Sequence, residues 1–530
     1  MLRVLISCWI LAWMISADQA SADAPDVAPA IQSYTDVHNF DQLCVLAKAL
    51  SKKPVAPTPP LPEPLASWNY DDYIKTSFKS QRATWFNQQL PFWLETFHRG
   101  FVQVDFVDLF TLIPASDGAP VCQRIKFSKR DFNYAPPLDA ASIPDAGHAG
   151  VKIVGRFPGQ TDAEEVLSFL GSSYFRARSA DCVYGASVRG LAINIAMNQA
   201  EEFPDFRAFW IRMPSRDDDE LTVLAHMDSA SVSGAYQFRL KPGNEITRVH
   251  VDAKLYFRSD PEKLGIAPIT SMWMWGDGLK RPPKDARPSV HDSDGLLVRS
   301  AKQRWTWRAF ARQSYPSVTS IGVDQLLGFG MIQRDREFLH YDDHNARYDK
   351  RPSVWVTPDQ PWSGGNIELL ELPGAHEGVD NLGAYWVPDK IPGPEDVVSL
   401  GYTIDFFAGD PSEHNVLAKA IELSVDRSKV APSVEVKVRF AGPALRVLPE
   451  SSPPRIQSEL VRGSMSEPVL TRSESGDWTV TAKVTPSEEA PVELKWQLFS
   501  GTEPVSENFQ YLLPPTEPEF VYPAVYTRQE

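Results

Sequence analysis

The chain has 530 residues, of which 43% are hydrophobic and 23% charged, and this composition excludes a chain that is disordered throughout. At about 100–200 residues per domain, the length predicts two or more domains. The formal net charge of −15 disfavours binding to nucleic acids and to anionic membrane surfaces, because both carry negative charge themselves.

The first 22 residues have the pattern of a secretory signal peptide. Arg3 precedes an apolar stretch from Val4 to Ile15, and Ala20-Ser21-Ala22 supplies the small residues of a cleavage site. The stretch is too short for a comfortable membrane span. We therefore expect cleavage after residue 22, a flexible leader over residues 23–35, and an exported, soluble chain with no membrane insertion.

Cysteine usage excludes a disulfide framework and a zinc knuckle. Cleavage would remove Cys8, and Cys44, Cys122 and Cys182 would remain without a Cys-x-x-Cys pair. At most one disulfide can form among three cysteines. Free thiols are the default expectation, and the sequence leaves open whether any of the three pair.

Two local signals precede the main body of strands. Six prolines between Pro54 and Pro64 predict an extended surface connector, although such a stretch can also be a ligand for a partner module. Thr161-Asp162-Ala163-Glu164 has the residues of a capping box and is followed by several apolar residues. This pattern predicts a short helix that ends at Gly171.

Alternation of apolar and polar residues predicts a mostly β protein. Residues 249–257 alternate in this way, and Pro242-Gly243-Asn244 supplies a turn before them, so the two predict a hairpin arm. The composition changes near residues 408–417, after which Val, Ser, Glu and Pro are frequent and alternating strands suit an immunoglobulin-like sandwich. The strands predicted in this last part are 434–440, 478–482 and 492–498.

Several enzyme classes lose support because their motifs are missing: the sequence has no phosphate-binding Gly-Lys loop, HExxH, GxSxG or strand-linked GxGxxG. Carboxylates lie among aromatic residues instead, in His291–Leu296, Tyr341–Ser353 and Asp380–Trp386. Glycoside cleavage needs one protonated and one ionised carboxyl group. It also needs aromatic walls for sugar rings, and the candidate walls are Trp273, Trp275, Trp305, Trp307, Trp355 and Trp362.

Each of these features also has a purely structural interpretation. Asp292-Ser293-Asp294-Gly295 is an ordinary turn sequence, and it lacks the ligand spacing and final Glu of a calcium loop. The carboxylates of Asp342–Asp349 with His344 could bind a metal, but no paired His or Cys completes a ligand set, which favours a solvated loop. Most tryptophans pack in protein cores, so only some of the six would face a ligand.

Longer strings give a more specific answer. They are Gly171–Arg176, Tyr184–Ile193, Glu201–Pro204, Leu264–Met272, Gly328–Arg334 and Arg351–Val356, and they occur in order with the His291 segment. Together they resemble the periplasmic glucan biosynthesis protein G/D family (OpgG/OpgD, also called MdoG-like) from about residue 36 to about residue 410.

The resemblance implies a fold and a process. Members of this family are periplasmic and take part in making osmoregulated periplasmic glucans with a β-1,2-linked backbone. The implied fold is all-β: a galactose-mutarotase-like β-sandwich over residues 36–408, a linker over 409–416 and an immunoglobulin-like β-sandwich over 417–530. Some members cleave β-1,2-glucan endo-wise with inversion, and related members are transglycosylases.

The resemblance also implies site residues. It makes Asp380 the general acid and Asp292 the general base, which acts through a relay of waters and substrate hydroxyls. It carries over Tyr348 and Arg351 as parts of a loop that closes over the glucan. With the tryptophan walls, the predicted substrate-binding residues are Tyr348, Arg351, Trp275, Trp305, Trp307 and Trp362. No metal or organic cofactor is implied.

Two other classes of function stay open. One is a non-catalytic glucan-binding or assembly factor that works with a membrane-bound glucan glucosyltransferase. The other is an unrelated lectin or adhesin built from sandwich domains. The presence of both Asp292 and Asp380 favours an enzyme, because binding alone needs no acid/base pair.

Overall fold

The computed structural model describes residues 31, 33–116, 118–302, 304–374, 376–414, 416–430, 432–487 and 490–518, with only the backbone of 428–430. The predicted signal peptide and most of the predicted leader lie outside these residues. Tyr34, near the end of the predicted leader, packs on the body of the protein. Its hydroxyl lies 2.9 Å from Nδ1 of His226, and its carbonyl accepts a hydrogen bond from the Trp210 indole.

Helices are short in the described chain. They are α1 (Phe40–Leu50), α2 (Tyr70–Tyr73) and α3 (Pro443–Arg446), with 3-10 turns at Tyr34–Asp36, Leu65–Ser67, Ser80–Arg82, Phe86–Gln88, Lys129–Asp131, Phe338–His340 and Tyr348–Lys350. In the part of the chain with assigned structure, no helix is both long and apolar enough to cross a membrane. Cys44, Cys122 and Cys182 are all free thiols.

Strands make up the body of the molecule. The first are β1 (Thr76–Phe78), β2 (Phe92–His98), β3 (Asp108–Ile113), β4 (Val121–Arg124), β5 (Phe132–Tyr134), β6 (His148–Gly155), β7 (Glu164–Leu170), β8 (Tyr174–Ala177), β9 (Ser187–Arg189), β10 (Leu191–Ile193), β11 (Asp205–Arg212), β12 (Leu221–Asp228), β13 (Val232–Lys241), β14 (Ile246–Phe257), β15 (Leu264–Ser271), β16 (Trp273–Trp275) and β17 (Val290–His291). The others are β18 (Gly295–Ser300), β19 (Arg304–Ala309), β20 (Ser317–Gly322), β21 (Leu326–Ile332), β22 (Ser353–Pro358), β23 (Gly365–Glu371), β24 (Leu382–Pro388), β25 (Val397–Phe407), β26 (Lys419–Val430), β27 (Ser433–Ala441), β28 (Arg455–Val461), β29 (Ser464–Met465), β30 (Val469–Arg472), β31 (Trp478–Thr485), β32 (Val492–Ser500), β33 (Glu503–Pro504) and β34 (Asn508–Leu513).

Two sheets face each other in the larger part of the molecule. The first sheet has the order β2-β6-β7-β8-β9-β15-β24-β23-β20, with β10 beside β15, and the second contains β18, β21, β22, β25, β14, β13, β12, β11, β3 and β4. Phe169 of the first sheet meets Phe238 and Phe209 of the second with ring centroids 5.1 and 4.8 Å apart. Apolar side chains of both sheets form one buried core, so this part is a β-sandwich and the all-β class is confirmed.

The C-terminal part is a second sandwich that shares a sheet with the first. A third sheet, with the order β26-β27-β31-β29 and β30 beside β31, packs against β28, β32 and β34. Strand β34 pairs in parallel with β19 through Thr306 and Asn508, so the second sheet continues into the C-terminal part. The predicted strands at 434–440, 478–482 and 492–498 are confirmed as parts of β27, β31 and β32.

One predicted helix is wrong. The segment after Thr161-Asp162-Ala163-Glu164 is strand β7, which pairs with β6 and β8 on either side. Val166, Leu167 and Phe169 are all buried, and only a strand covered on both faces can bury neighbouring residues in this way. Pairing in the sheet has overridden the local capping signal. The predicted hairpin is confirmed, because β13 and β14 pair in register from Val232–Phe257 to Lys241–Arg248.

A buried ion network joins the two sandwiches. Arg334, just after β21, lies 2.8 Å from both Asp410 and Glu507 and donates to the Ala420 carbonyl, and its guanidinium packs 3.8 Å from the Trp307 ring. The Glu507 side chain is 0% exposed and that of Arg334 is 9% exposed. The segment predicted as a linker, 409–416, thus carries a buried ionic contact through Asp410.

Candidate active site

The first sheet positions one member of the predicted acid/base pair. Thr270 of β15 pairs with Ser187 of β9 on one side and with Gly383 of β24 on the other. Asp380, just before β24, accepts a hydrogen bond of 2.6 Å from the Thr270 hydroxyl. Arg176 of β8 donates a 2.6 Å hydrogen bond to the Ser187 hydroxyl and so extends the same polar row. This row brings a cation and the half-buried Asp380 carboxylate to one face of the sheet.

Asp292 lies beside this row at the end of β17. Its backbone N–H donates to the Met272 carbonyl at 2.8 Å, which fixes the chain next to β15. The side chain is 10% exposed, and Nε of Arg351 lies 3.4 Å from Oδ1. Burial raises the pKa of Asp292 and Arg351 lowers it, while the Asp380 charge raises it further. The two carboxylates therefore interact electrostatically, although they belong to distant parts of the chain.

One oxygen of the buried Asp292 carboxylate lacks a hydrogen-bond donor among the described residues. Within the described residues, its Oδ1 is buried and has no hydrogen-bond donor of acceptable geometry. A buried acceptor without a donor costs about 1–3 kcal/mol. An oxygen in this state is suited to accept a proton or a hydrogen bond from a bound water or sugar hydroxyl.

Asp294 and His291 face a different space. With Asp277 and Asp335 they line a cavity of about 680 Å³ between the two sandwiches, which Asp292 and Asp380 do not line. Asp294 Oδ2 accepts hydrogen bonds from the backbone N–H groups of Arg334 and Asp335, and burial raises the pKa of Asp294 to about 7. Asp294 is thus held by backbone contacts away from Asp380.

The two residues carried over for the closing loop do meet the pair. The Tyr348 ring is 1% exposed and lies 5.2 Å from the guanidinium of Arg351, which in turn contacts Asp292. The Tyr348 hydroxyl donates a 2.7 Å hydrogen bond to Glu377, three residues before Asp380. Tyr348 and Arg351 thus form a continuous contact between the neighbourhoods of the two aspartates.

The carboxylates of the loop that holds Tyr348 are bound by arginines. Arg347 pairs with Asp349 at 2.7 Å, and Arg287 pairs with Asp343 at 2.9 Å. The His344 ring packs on Phe338 with centroids 4.6 Å apart. These ion pairs anchor the loop through Asp343 and Asp349, while Asp342 and His344 are exposed to solvent.

The predicted tryptophan walls pack against protein side chains. Trp305 and Trp307 are 4% exposed each and pack in the core of the C-terminal sandwich, where Trp305 stacks on Trp355. Trp275 is 0% exposed, and its indole donates to the Arg287 carbonyl. Trp362 is half-buried and packs against Trp386 and Tyr402. The rings of Trp305, Trp307 and Trp362 are thus used in core packing, whereas Trp275 belongs to the same buried cluster as Tyr348.

Sequence reasoning missed the side chains that hold the pair. Thr270 and Arg176 both lie inside strings that carried the family resemblance, but nothing in the sequence connects them with Asp380 or Asp292. Glu377 and Arg287 lie outside those strings. Their only sequence signal is that Glu377 lies three residues before Asp380.

Similarity to solved structures is slight. An α-galactosidase of family GH36, AgaB of Geobacillus stearothermophilus, aligns over 49% of this chain and 39% of its own at 7% identity, with a TM-score of 0.25. A galactose mutarotase related enzyme of Lactobacillus acidophilus aligns over 45% of this chain and 96% of its own at 6% identity, with a TM-score of 0.20. Likenesses of this size say nothing about function.

Similarity in sequence is extensive. The family model described as "Periplasmic glucan biosynthesis protein, MdoG" matches residues 38–513. The protein named glucans biosynthesis protein G of Ralstonia nicotianae is 37% identical over 495 residues, which cover 90% of this chain and 96% of that protein. This chain therefore belongs to the MdoG family of periplasmic glucan biosynthesis proteins, and its role lies in glucan biosynthesis.

Proposed function

We propose that this protein acts on β-1,2-glucan in the periplasm, after export by a cleaved signal peptide, as an inverting endo-glucanase or a transglycosylase. The observation that carries the proposal is the pairing of Asp292 with Asp380. The negative charge of Asp380 acts on Asp292 from a distant segment of the chain; Asp292 is buried against Arg351, and Asp380 is half-buried against the Thr270 hydroxyl. An acid/base pair for glycoside cleavage has this composition.

The proposed roles follow from the surroundings of each carboxyl group. Asp380, the more exposed of the two, gives its proton to the leaving glycosidic oxygen. Water, or a sugar hydroxyl in transglycosylation, attacks the anomeric carbon from the opposite face. The proton that the attacking group loses passes through waters or substrate hydroxyls to Asp292. Arg351 favours the ionised form of Asp292 that this step needs. The proton is accepted by Oδ1 of Asp292, which has no hydrogen-bond donor among the described residues.

A single incubation tests the proposal. The mature protein is mixed with linear β-1,2-glucan, and the products are separated by size while the anomeric form of the new reducing end is followed by NMR. We expect shorter glucans whose first-formed anomer is inverted for hydrolysis, or glucans of altered length without net gain of reducing ends for transglycosylation. Intact glucan after prolonged incubation with folded protein would contradict both activities.

The main alternative is a binding protein that supports a membrane-bound glucan glucosyltransferase. Binding of β-1,2-glucan by calorimetry, together with no change in the glucan, would favour this alternative. In that case the substitution Asp380→Asn would leave the function in cells intact, because a binding site needs no proton donor.

A further inference from the structure

Arg287 joins three carboxylates from three places in the chain. Its guanidinium lies 2.7 Å from Asp285, 2.9 Å from Asp343 and 2.8 Å from Glu377. These ion pairs hold the pKa of Arg287 above its ordinary value. A shared cation with three partners is a network, and networks with good geometry contribute more than isolated surface pairs. Arg287 thus ties the loop of Asp343 to the turn that holds Glu377.

Glu377 uses its second oxygen to hold the other side of the site. Its Oε1 binds Arg287, and its Oε2 accepts the 2.7 Å hydrogen bond from the Tyr348 hydroxyl. Tyr348 in turn lies 5.2 Å from Arg351, which contacts Asp292. A single chain of contacts therefore runs from the arginine network through Glu377 to the buried aspartate.

The same residue also fixes the segment before Asp380. Glu377 occupies a tight turn that is closed by the Val379 N–H bound to the His376 carbonyl at 2.9 Å. Asp380 follows Val379 directly. On the far side, the Asn381 side chain accepts from the Trp273 N–H and donates to the Trp273 carbonyl, both at 2.9 Å. The Asp380 backbone is thus held from both sides, and Glu377 provides the hold on the N-terminal side.

We infer that Glu377 and Arg287 are positioning residues that set Asp380 in register with Asp292, in the site whose function is proposed above. Within the described residues, the Glu377 side chain bonds to Tyr348 and Arg287, and Arg287 also bonds to Asp285 and Asp343, so the two residues reach the aspartates only through other side chains. They act by keeping the turn before Asp380 and the Tyr348 loop together. Misplacement of a reacting group by about 1 Å can cost about 100-fold in rate, so a remote contact of this kind has a measurable effect.

A double-mutant cycle tests the inference. We expect Glu377→Ala and Tyr348→Phe each to lower kcat on β-1,2-glucan by about 10-fold, with little change in KM and a thermal midpoint shifted by less than about 2 °C. Glu377→Ala removes the contact that Tyr348→Phe breaks and the Arg287 pair as well, so the double variant should be within about twofold of Glu377→Ala. Glu493→Ala is the matched control, since Glu493 is a similarly exposed, ion-paired glutamate on β32, 2.9 Å from Lys495.

Two outcomes would overturn the inference: a Glu377→Ala enzyme within twofold of the wild type, or losses that multiply to about 100-fold in the double variant. Hydrogen–deuterium exchange separates this inference from the proposed function. We expect amides of 341–351 and of 376–381 to exchange faster in both single variants and unchanged in Glu493→Ala, whether or not the wild type cleaves glucan. Unchanged exchange in both segments would refute the positioning role, whereas an inactive wild type would refute only the proposed function.

Discussion

Nε of Arg351 lies 3.4 Å from Oδ1 of Asp292, and this contact offsets part of the cost of burying the charged carboxylate. The pKa of Asp292 is raised above its ordinary value by burial, and Arg351 offsets only part of that rise. A general base must be ionised at the working pH, so a buried aspartate can act as one only if a cation compensates its desolvation. Arg351 is the largest compensating influence on Asp292, ahead of Arg176.

The first prediction concerns Arg351→Gln. Without the cation, the pKa of Asp292 rises, so a smaller fraction of the base is ionised at low pH. The acidic limb of the kcat/KM profile should therefore move to higher pH, and activity at pH 5 should fall more than activity at pH 8. The measurement is kcat/KM on β-1,2-glucan from pH 4 to 9. Arg351→Lys keeps the charge and should move the limb less; an unmoved limb in Arg351→Gln would contradict the assignment of Asp292 as base.

The second prediction concerns the acid. Asp380→Asn keeps the shape of the side chain and its contact with Thr270 but removes the proton that is donated to the leaving oxygen. We expect turnover to fall by at least about 100-fold, the lower end of general-acid contributions. Glucan binding, measured by calorimetry, should change little. Asp389→Asn is the control, because Asp389 is an exposed aspartate just after the other end of β24. Undiminished turnover in Asp380→Asn would break the acid assignment.

Sequence patterns predicted what depends on local alternation. The strands at 249–257 and in the C-terminal part follow directly from side chains that alternate between core and solvent. The helix prediction for 164–170 was wrong because a strand that is covered on both faces does not alternate between apolar and polar residues. The capping residues were then the only local signal. Helix α1 was not predicted, although Asn39 caps it by accepting from the Gln42 N–H and Leu43, Leu46 and Ala47 bury one face.

The site residues also divide into those that a local sequence pattern reveals and those that it does not. Asp292 and Asp380 were found because each lies in a distinctive string, but their supports are contacts across the sheet that no local pattern encodes. The tryptophans did not predict the sugar-binding surface for the same reason, because an indole ring can pack in a protein core or against a sugar. Trp305 and Trp307 pack in the hydrophobic cluster at the junction between the sandwiches. Predicting which tryptophans face a ligand needs the sheet register, which the sequence does not specify.

The third prediction uses Asp294. Its pKa in the folded protein is about 7, raised by burial, against about 3.9 in an unfolded chain. The folded state therefore binds the extra proton between these values, so the contribution of Asp294 to stability is full below about pH 4 and is lost as pH rises towards 7. Asp294→Asn stays neutral and should avoid this loss, which linkage limits to at most about 4 kcal/mol.

The measurement for Asp294 is urea unfolding of the wild type and of Asp294→Asn at several pH values. The free energy of unfolding of the variant, relative to the wild type, should increase from pH 4 to pH 7. Turnover of the variant should stay close to that of the wild type, since Asp294 faces the cavity between the sandwiches and not Asp380. A difference that does not depend on pH would show that folding does not raise the pKa of Asp294.

The last prediction concerns the junction between the sandwiches. Arg334→Ala leaves Asp410 and Glu507 without their main cation, and both carboxylates are almost fully buried. Removing one partner of a buried ion pair costs about 3–5 kcal/mol, because the other charge stays desolvated. Lys419, 3.2 Å from Asp410, compensates only in part, because its contact is with the Asp410 carboxylate and not with Glu507. We therefore expect the free energy of unfolding in urea to fall by about 3 kcal/mol or more, and proteases to cleave faster near residues 408–417.

Arg304→Ala serves as the control, since it breaks an exposed pair with Asp324 and should cost less than about 1 kcal/mol. Equal stability of the two variants would mean that the Arg334 network does not hold the junction, and that the shared sheet through β19 and β34 is sufficient.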